Sequence, residues 1–288
     1  MTAYVKSSTR KSTAVPAWAG GQMSLSDLLT HHLREEVARA ARGDLDSPEL
    51  KALEPLFERQ MDLSTLPLSE QLLIETCRTR EGMHLYAFPF EGRFVHEGLG
   101  FLWATRLTRH HRGTITVSVN DYGFELLAPR GYPMDDLIEE HLEDLLDDSD
   151  LEADLEEALN LSELCRRRFR SIAQVAGLLV QGFPGQSKST GQLQISGSLL
   201  WEVFNKHEPG NLLIRQAQQE VLQEQLELPR LRSALQRMRR GETLHCPTPR
   251  PTPLAFPLLV ERLNNRMSNE SVLERILRMQ ADALKNEQ

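Results

Sequence analysis

The stretch Gly182-Phe-Pro-Gly-Gln-Ser-Lys-Ser189 most constrains the fold, because it almost spells a phosphate loop and a phosphate loop dictates its surroundings. The nucleotide-binding pattern is Gly, four residues, then Gly-Lys-Ser/Thr, set between a buried strand and the start of a helix. Here Ser187 stands where the second Gly belongs. Its Cβ would intrude where backbone must approach phosphate. The preceding segment is also wrong for a strand. Leu161, Leu164, Phe169, Ile172, Val175, Ala176 and Leu179 recur at spacings of three and four, which is the period of a helix. No segment ending in Asp-Glu-x-His or Asp-Glu-x-Asp is present to hold magnesium. The stretch therefore reads as a Gly- and Pro-bearing loop, and the chain does not encode a complete NTPase.

A chain of 288 residues is long enough for one large domain or two modest ones with a real core. It has no run of about 18 apolar residues that would span a membrane. The first residues, Met1-Thr-Ala-Tyr-Val-Lys, show no apolar signal core, so the cytoplasm is the default expectation. Cys77, Cys165 and Cys246 are distant and odd in number, which suggests neither disulfides nor a zinc site.

The net charge of −8 hides a division. Residues 135–157 hold thirteen Asp/Glu and no Lys or Arg. With those set aside, the other 28 of the 41 carboxylates face 33 Lys and Arg, and from 158 onward 18 basic residues face 12 acidic ones. A basic C-terminal part is compatible with nucleic acid. The acidic block, with Leu137, Ile138, Leu142, Leu145, Leu146, Leu151 and Leu155 at helical spacing, reads as a solvated helix pair.

Along the chain, a helix is expected over 24–42, with Leu25, Leu28, Leu29, Leu33 and Val37 on one face. A second follows at 48–62 and a third at 97–111. Strands are expected at 72–77, 83–90, 114–120 and 124–127, with a short one at 243–246. Tyr4 and Val5 read as the end of another. Acidic helices at 133–146 and 151–159 lead to helices at 161–180, 196–207, 211–227 and 229–240, then 257–267 and 270–285. The alternating prolines of Pro247-Thr-Pro-Arg-Pro-Thr-Pro253 forbid helix and favour an extended path to 257. The expected fold is α+β: an antiparallel sheet or barrel from the segments near 1–10, 72–90, 114–127 and 243–250, flanked by many helices, with a helix-rich C-terminal half. Three parts are expected within one composite domain: a mixed part at 1–134, an acidic helical segment at 135–160, and a helical part at 161–288.

Sites of chemistry are few. His96-Glu-Gly-Leu-Gly100 begins like a zinc-binding helix, but Gly100 replaces the second histidine. Ser8-Thr-Arg-Lys11 has Ser-x-x-Lys spacing in a tail without partners. Arg166, Arg167, Arg168 and Arg170 share a helix, Lys188 lies in the 182–189 loop, and Arg250 interrupts the proline run. Such cations can neutralise phosphates, although an ordinary solvated face looks the same. Trp18 sits between Pro16 and Gly20-Gly21, on a turn, where an aromatic either stacks a base or plugs a local core. Trp103 and Trp201 fall on apolar helical faces and belong in the core.

Five stretches together carry a resemblance. They are Val15-Pro-Ala-Trp-Ala-Gly-Gly-Gln-Met-Ser-Leu-Ser26, Val119-Asn-Asp-Tyr-Gly-Phe-Glu-Leu126, Phe183-Pro-Gly-Gln-Ser-Lys-Ser189, Gln192-Leu-Gln-Ile-Ser-Gly-Ser-Leu-Leu-Trp-Glu-Val-Phe204 and Thr248-Pro-Arg-Pro-Thr-Pro-Leu-Ala-Phe-Pro-Leu258. The chain resembles the C-terminal signature (DEAD/H-associated) domain of the Lhr, or large helicase-related, superfamily 2 DNA helicases, in their ligase-associated damage-response branch. The resemblance implies a DNA-contacting accessory domain of an ATP-dependent 3′–5′ helicase in DNA repair. Its expected partners are single-stranded DNA or an RNA–DNA hybrid, the RecA-like motor and winged-helix domains, and other repair proteins. ATP and magnesium are expected only in the motor, so the isolated chain is expected to be inactive. The Pro-x-Trp-x-Gly match makes Trp18 the base-stacking candidate, with Lys188, Arg166, Arg167, Arg170 and Arg250 as the other nucleic-acid-binding residues. The rival expectation is a non-catalytic module that docks a basic partner through the acidic segment.

Overall fold

The computed structural model describes residues 23–264, except 181, 184, 185 and 188. Helices α1 (Asp27–Ala41) and α2 (Pro48–Leu63) open it. Ser26 and Ser47 cap them, each side chain accepting a backbone N–H from the first turn, from Leu29 and Leu50. Strands β1 (Leu72–Arg78) and β2 (Met83–Phe88) form a hairpin, followed by α3 (Arg93–His110), then β3 (Thr116–Val119) and β4 (Phe124–Ala128). Helices α4 (Met134–Leu145), α5 (Leu151–Glu157) and α6 (Leu159–Val175) carry the acidic and arginine-rich segments. A two-stranded hairpin, β5 (Gly182–Phe183) and β6 (Gln186–Ser187), leads to α7 (Thr190–His207) and α8 (Leu212–Glu220). Helix α8 runs into a π-helical turn (Val221–Gln225); α9 (Leu228–Arg240), β7 (Thr243–Pro247) and α10 (Phe256–Asn264) complete the order.

The main sheet has five strands in the order β3-β4-β2-β1-β7. It is open, with β3 and β7 at its edges, and this corrects the expectation of a barrel. Nor is it wholly antiparallel: β7 lies parallel to β1, with Leu72 opposite Thr243 and Thr76 opposite Pro247. A parallel neighbour requires a long crossover, and here everything between β1 and β7 supplies it. The expected strand at Tyr4–Val5 and the helix at 270–285 lie outside the described residues.

Alternation divides the strands between two cores. Leu72, Ile74, Met83, Leu85, Ala87, Phe124, Leu126 and Ala128 face α3 and the helices beyond it, in a cluster that runs on to Met238. Trp103 packs edge-on against Phe124, with ring centroids 5.3 Å apart, and Trp201 packs against Phe169, so both tryptophans are core residues as expected. Leu73, Cys77, Tyr86 and Phe88 face the other way, against Val37 of α1, Leu50 and Phe57 of α2, Leu258 of α10 and Ala255 just before α10. The missing second histidine of the 96–100 stretch has a packing reason. A Cβ on Gly100 would lie 2.5 Å from Val117 Cγ1, so only glycine lets α3 come this close to β3.

Helix α1 turns a different face inward from the one its leucines suggest. Thr30, Arg34, Val37 and Ala38 are buried, while Leu28 and Leu29 are exposed. Arg34 takes the inner position because it reaches Glu91, 2.8 Å away, which Arg237 of α9 also approaches at 3.1 Å. No described helix is long and apolar enough to cross a membrane.

Candidate nucleic-acid interface

The near-phosphate loop is not a phosphate cradle. It follows α6, a helix, and its backbone folds back on itself as the β5–β6 hairpin, with Gly182 opposite Ser187. The N-terminus of α7 beyond it is already capped. Ser189 accepts the Gln192 N–H, and the Gln192 side chain accepts the Ser189 N–H, forming a reciprocal capping box. Donors that would greet a phosphate are thus occupied by protein groups. The described residues of the stretch thus lack the strand-to-helix arrangement of a phosphate loop.

The sequence-predicted cations occupy separate places. On α6, Glu163 lies near both Arg166 (3.7 Å) and Arg167 (3.5 Å), while Arg168 turns toward Glu220 and Glu224 of α8 and the π-helical turn. Arg170 has no carboxylate partner among the described residues. Its stem passes α7 closely enough that a Cβ on Gly197 would sit 3.1 Å from its Cγ. The Nε atoms of Arg166 and Arg170, one turn apart, are buried and lack a hydrogen-bond partner among the described residues. Arg250 stands apart from this group. It follows β7, two residues past Thr248, whose N–H and hydroxyl both bond to the Thr76 carbonyl on β1. Trp18 and Lys188 lie outside the described residues.

The acidic segment is only partly solvated. Arg106 of α3, fully buried, donates to Asp154 at 2.6 and 2.8 Å and to the carbonyls of Asp144, Leu145 and Asp147 at the end of α4. It thereby satisfies carbonyls that a helix end leaves without partners. Arg109 also pairs with Asp154 and Glu157, and from α9 Arg232 pairs with Asp148 and Glu152, and Arg239 with Asp147. The inner carboxylates therefore hold α4 and α5 onto α3 and α9. Asp136, Glu139 and Glu143 on α4 are exposed.

A buried polar network on the α2/α10 face of the sheet was not visible in the sequence. His84 Nδ1 lies 2.7 Å from Glu125, and Arg262 of α10 donates to the same carboxylate at 3.0 Å. Glu75 accepts from Gln60 and Thr252, and burial still pushes its carboxyl above the usual range. On the opposite side, His96 accepts the Glu91 N–H at Nε2, which fixes its proton on Nδ1, and donates from there to the Asn120 carbonyl. Burial holds its pKa down to about 3. Burial also pushes the thiols of Cys77 and Cys165 up to about 12, which makes both poor nucleophiles. Among the described residues no group of three His, Cys, Asp or Glu is placed to hold a metal ion. The networks are structural, and the candidate interface consists of the cations placed above.

Comparison with known proteins gives that surface a context. Residues 66–255 match the model of the DEAD/H associated family. The chain is 26% identical over 239 residues to the ATP-dependent helicase Lhr-Core protein 2 of Thermococcus barophilus, which covers 78% of this chain and 27% of the relative. It is 26% identical over 249 residues to the ATP-dependent helicase Lhr-Core of Methanocaldococcus jannaschii, covering 82% of this chain and 28% of that one. The chain thus spans little more than a quarter of the length of these relatives. Among solved structures, the fold matches that of Mycobacterium smegmatis helicase Lhr bound to ssDNA and AMP-PNP with a TM-score of 0.65. The identity there is 20%, over 86% of this chain and 33% of that one.

Proposed function

This chain belongs to the DEAD/H associated family, and from that membership we propose that it is the DNA-contacting accessory domain of an Lhr-type ATP-dependent helicase. The observation that carries the reading is the match over residues 66–255, joined to relatives that are all Lhr-Core helicases. In this role the domain grips the single strand and converts motor movement into strand separation. Its cations neutralise phosphates, and Trp18 stacks a base. Translocation from 3′ to 5′, service in DNA repair and action on RNA–DNA hybrids belong to the same proposal. ATP and magnesium act in motor domains, with a winged helix as the further neighbour. In the intact helicase, Trp18→Ala is expected to keep ssDNA-stimulated ATP hydrolysis and to lose unwinding. Unwinding at the normal rate would remove Trp18 from the mechanism.

A second reading, in which the acidic segment docks a basic partner, is narrowed by the ion pairs of Arg106, Arg109, Arg232 and Arg239. It is left with outer carboxylates such as Asp136, Glu139 and Glu143 of α4 and Glu156 of α5. Titrating oligonucleotide binding with salt separates the two readings. Phosphate contacts make affinity fall steeply as salt rises, whereas absence of binding at low salt favours docking.

A further inference from the structure

Four arginines distant in sequence meet at one end of the sheet. The pairing register sets the place: Arg78 is opposite Met83, Met83 opposite Ala128, and Thr116 opposite Leu127, so these strand ends share an edge. Arg78 ends β1, Arg80 lies in the β1–β2 turn, Arg130 follows β4, and Arg112 lies in the segment leading to β3. All four are exposed. Arg250 follows β7 at the same end, since Thr76 is opposite Pro247.

The backbone that carries them is fixed. In the β1–β2 turn the Thr79 N–H donates to the Gly82 carbonyl at 2.9 Å, and the Thr79 hydroxyl accepts the Glu81 N–H at 3.1 Å. A Cβ on Gly82 would fall 2.1 Å from the Ala128 carbonyl oxygen, so only glycine lets this turn sit against the end of β4. Arg130 Nε donates to the Arg80 carbonyl at 2.8 Å and ties the two turns together. Tyr132 anchors the remaining piece: its hydroxyl donates to the His111 carbonyl at 2.8 Å, and a Cβ on Gly113 would meet its ring at 2.6 Å.

The rim arginines lack the ion pairing that most arginines among the described residues have. Arg34, Arg106, Arg168, Arg232 and Arg262 all lie against carboxylates. No carboxylate among the described residues pairs with Arg78, Arg80, Arg112 or Arg130. Of the nearby acids, Glu81 meets Arg262 at 2.5 Å, and Asp135 accepts from Thr76 at 2.5 Å and lies 3.3 Å from His245. Asp136, in the first turn of α4, remains as an opposing charge. The large exposed apolar side chains lie elsewhere, among them Leu28, Val175, Ile195 and Leu199, so the rim offers charge without an apolar anchor. That combination suits a polyanion with regularly spaced charges better than a peptide, which needs a buried hydrophobic centre.

We propose that this sheet-end rim holds the phosphodiester backbone of the single strand, with Arg78, Arg80 and Arg112 as phosphate contacts. It rests on the DNA-contacting reading above and adds a surface outside the α6 group. Rigid turns bring the guanidinium groups to the strand at little ordering cost, and each forms charge-assisted bonds to phosphate oxygens. The test is fluorescence anisotropy of a fluorescein-labelled oligo(dT) with this chain, titrated from about 50 to 200 mM salt, the range over which phosphate contacts show. With the triple variant R78Q/R80Q/R112Q the plot of log affinity against log salt should become shallower by about 2, since each lost contact on a single strand removes about 0.7. The lysine triple R78K/R80K/R112K should keep the slope, because a point charge still releases a counterion. An unchanged slope for the glutamine triple, with an unchanged thermal melt, overturns the rim and leaves the DNA-contacting role intact. A lysine triple that melts normally and loses the slope overturns it too. Failure of the unaltered chain to bind oligo(dT) at the lowest salt overturns both readings.

Discussion

The two faces of the five-stranded sheet are drawn from alternate residues of the same strands, yet they are held by different forces. Toward α3 the face is mainly apolar, from Leu72 and Ile74 to Leu126 and Ala128, with Thr76 at its end bonded to Asp135. Toward α2 and α10 it mixes Leu73, Phe88 and Cys77 with Glu75, His84 and Glu125, all buried and all partnered. The apolar face needs only volume and pattern, and many side chains would satisfy it. The polar face demands particular neighbours: Glu125 requires Arg262, and Glu75 requires Gln60 and Thr252. The first face drives collapse; the second selects which helix and which proline-bearing segment lie on top, at a cost in desolvation.

That contrast can be broken most sharply at Glu125. Glu125→Ala strands Arg262 and His84 in the interior, and urea denaturation should show a loss of roughly 3–5 kcal/mol. The double replacement E125L/R262M should recover part of that loss, because the apolar pair leaves no buried guanidinium, although His84 still loses its carboxylate and keeps Thr79 as a partner. On the other face, Leu85→Ala should cost about 3 kcal/mol, with no second substitution able to restore it except one that refills the space. The smallest effect concerns pH. His96 titrates near 6.5 when unfolded and only at about 3 when folded. Its neutral, buried form therefore contributes stability that is complete above about pH 6.5 and is lost as pH falls toward 3, at up to about 1.4 kcal/mol per pH unit. Denaturation midpoints measured between pH 7 and 5 should slope for the unaltered chain and flatten for His96→Gln; equal slopes would mean that the imidazole is not held neutral.

Local pattern made most elements legible. Alternation marked β2 and β3, and the three-and-four spacing marked α6. Long-range pairing was not legible. Thr243–Pro247 is too short to declare its direction, and its partner Leu72–Thr76 lies far back in the chain. The expectation of closure into a barrel failed because nothing local states whether edge strands meet. The inner face of α1 was missed because leucine count was weighed above Arg34, whose hydrogen-bond acceptor, the Phe90 carbonyl, lies 56 residues further along the chain, next to its ion-pair partner Glu91. At the candidate interface, the arginine run of α6 was visible because it is contiguous. The sheet-end arginines were not, since only strand register gathers positions 78, 80, 112 and 130.

Arg106 has a consequence for how this molecule breathes. One guanidinium joins α3 in the main core to the last carbonyls of α4 and to Asp154 of α5. Fraying of α4 from its C-terminal end, the ordinary route by which a surface helix exchanges its amide protons, would leave that charge buried among unpaired atoms. Local opening is thereby discouraged, and amides such as those of Leu145 and Leu155 should exchange only when the whole domain unfolds. A segment that its composition marks as a solvated appendage would then behave, on the timescale of hydrogen exchange, as part of the core.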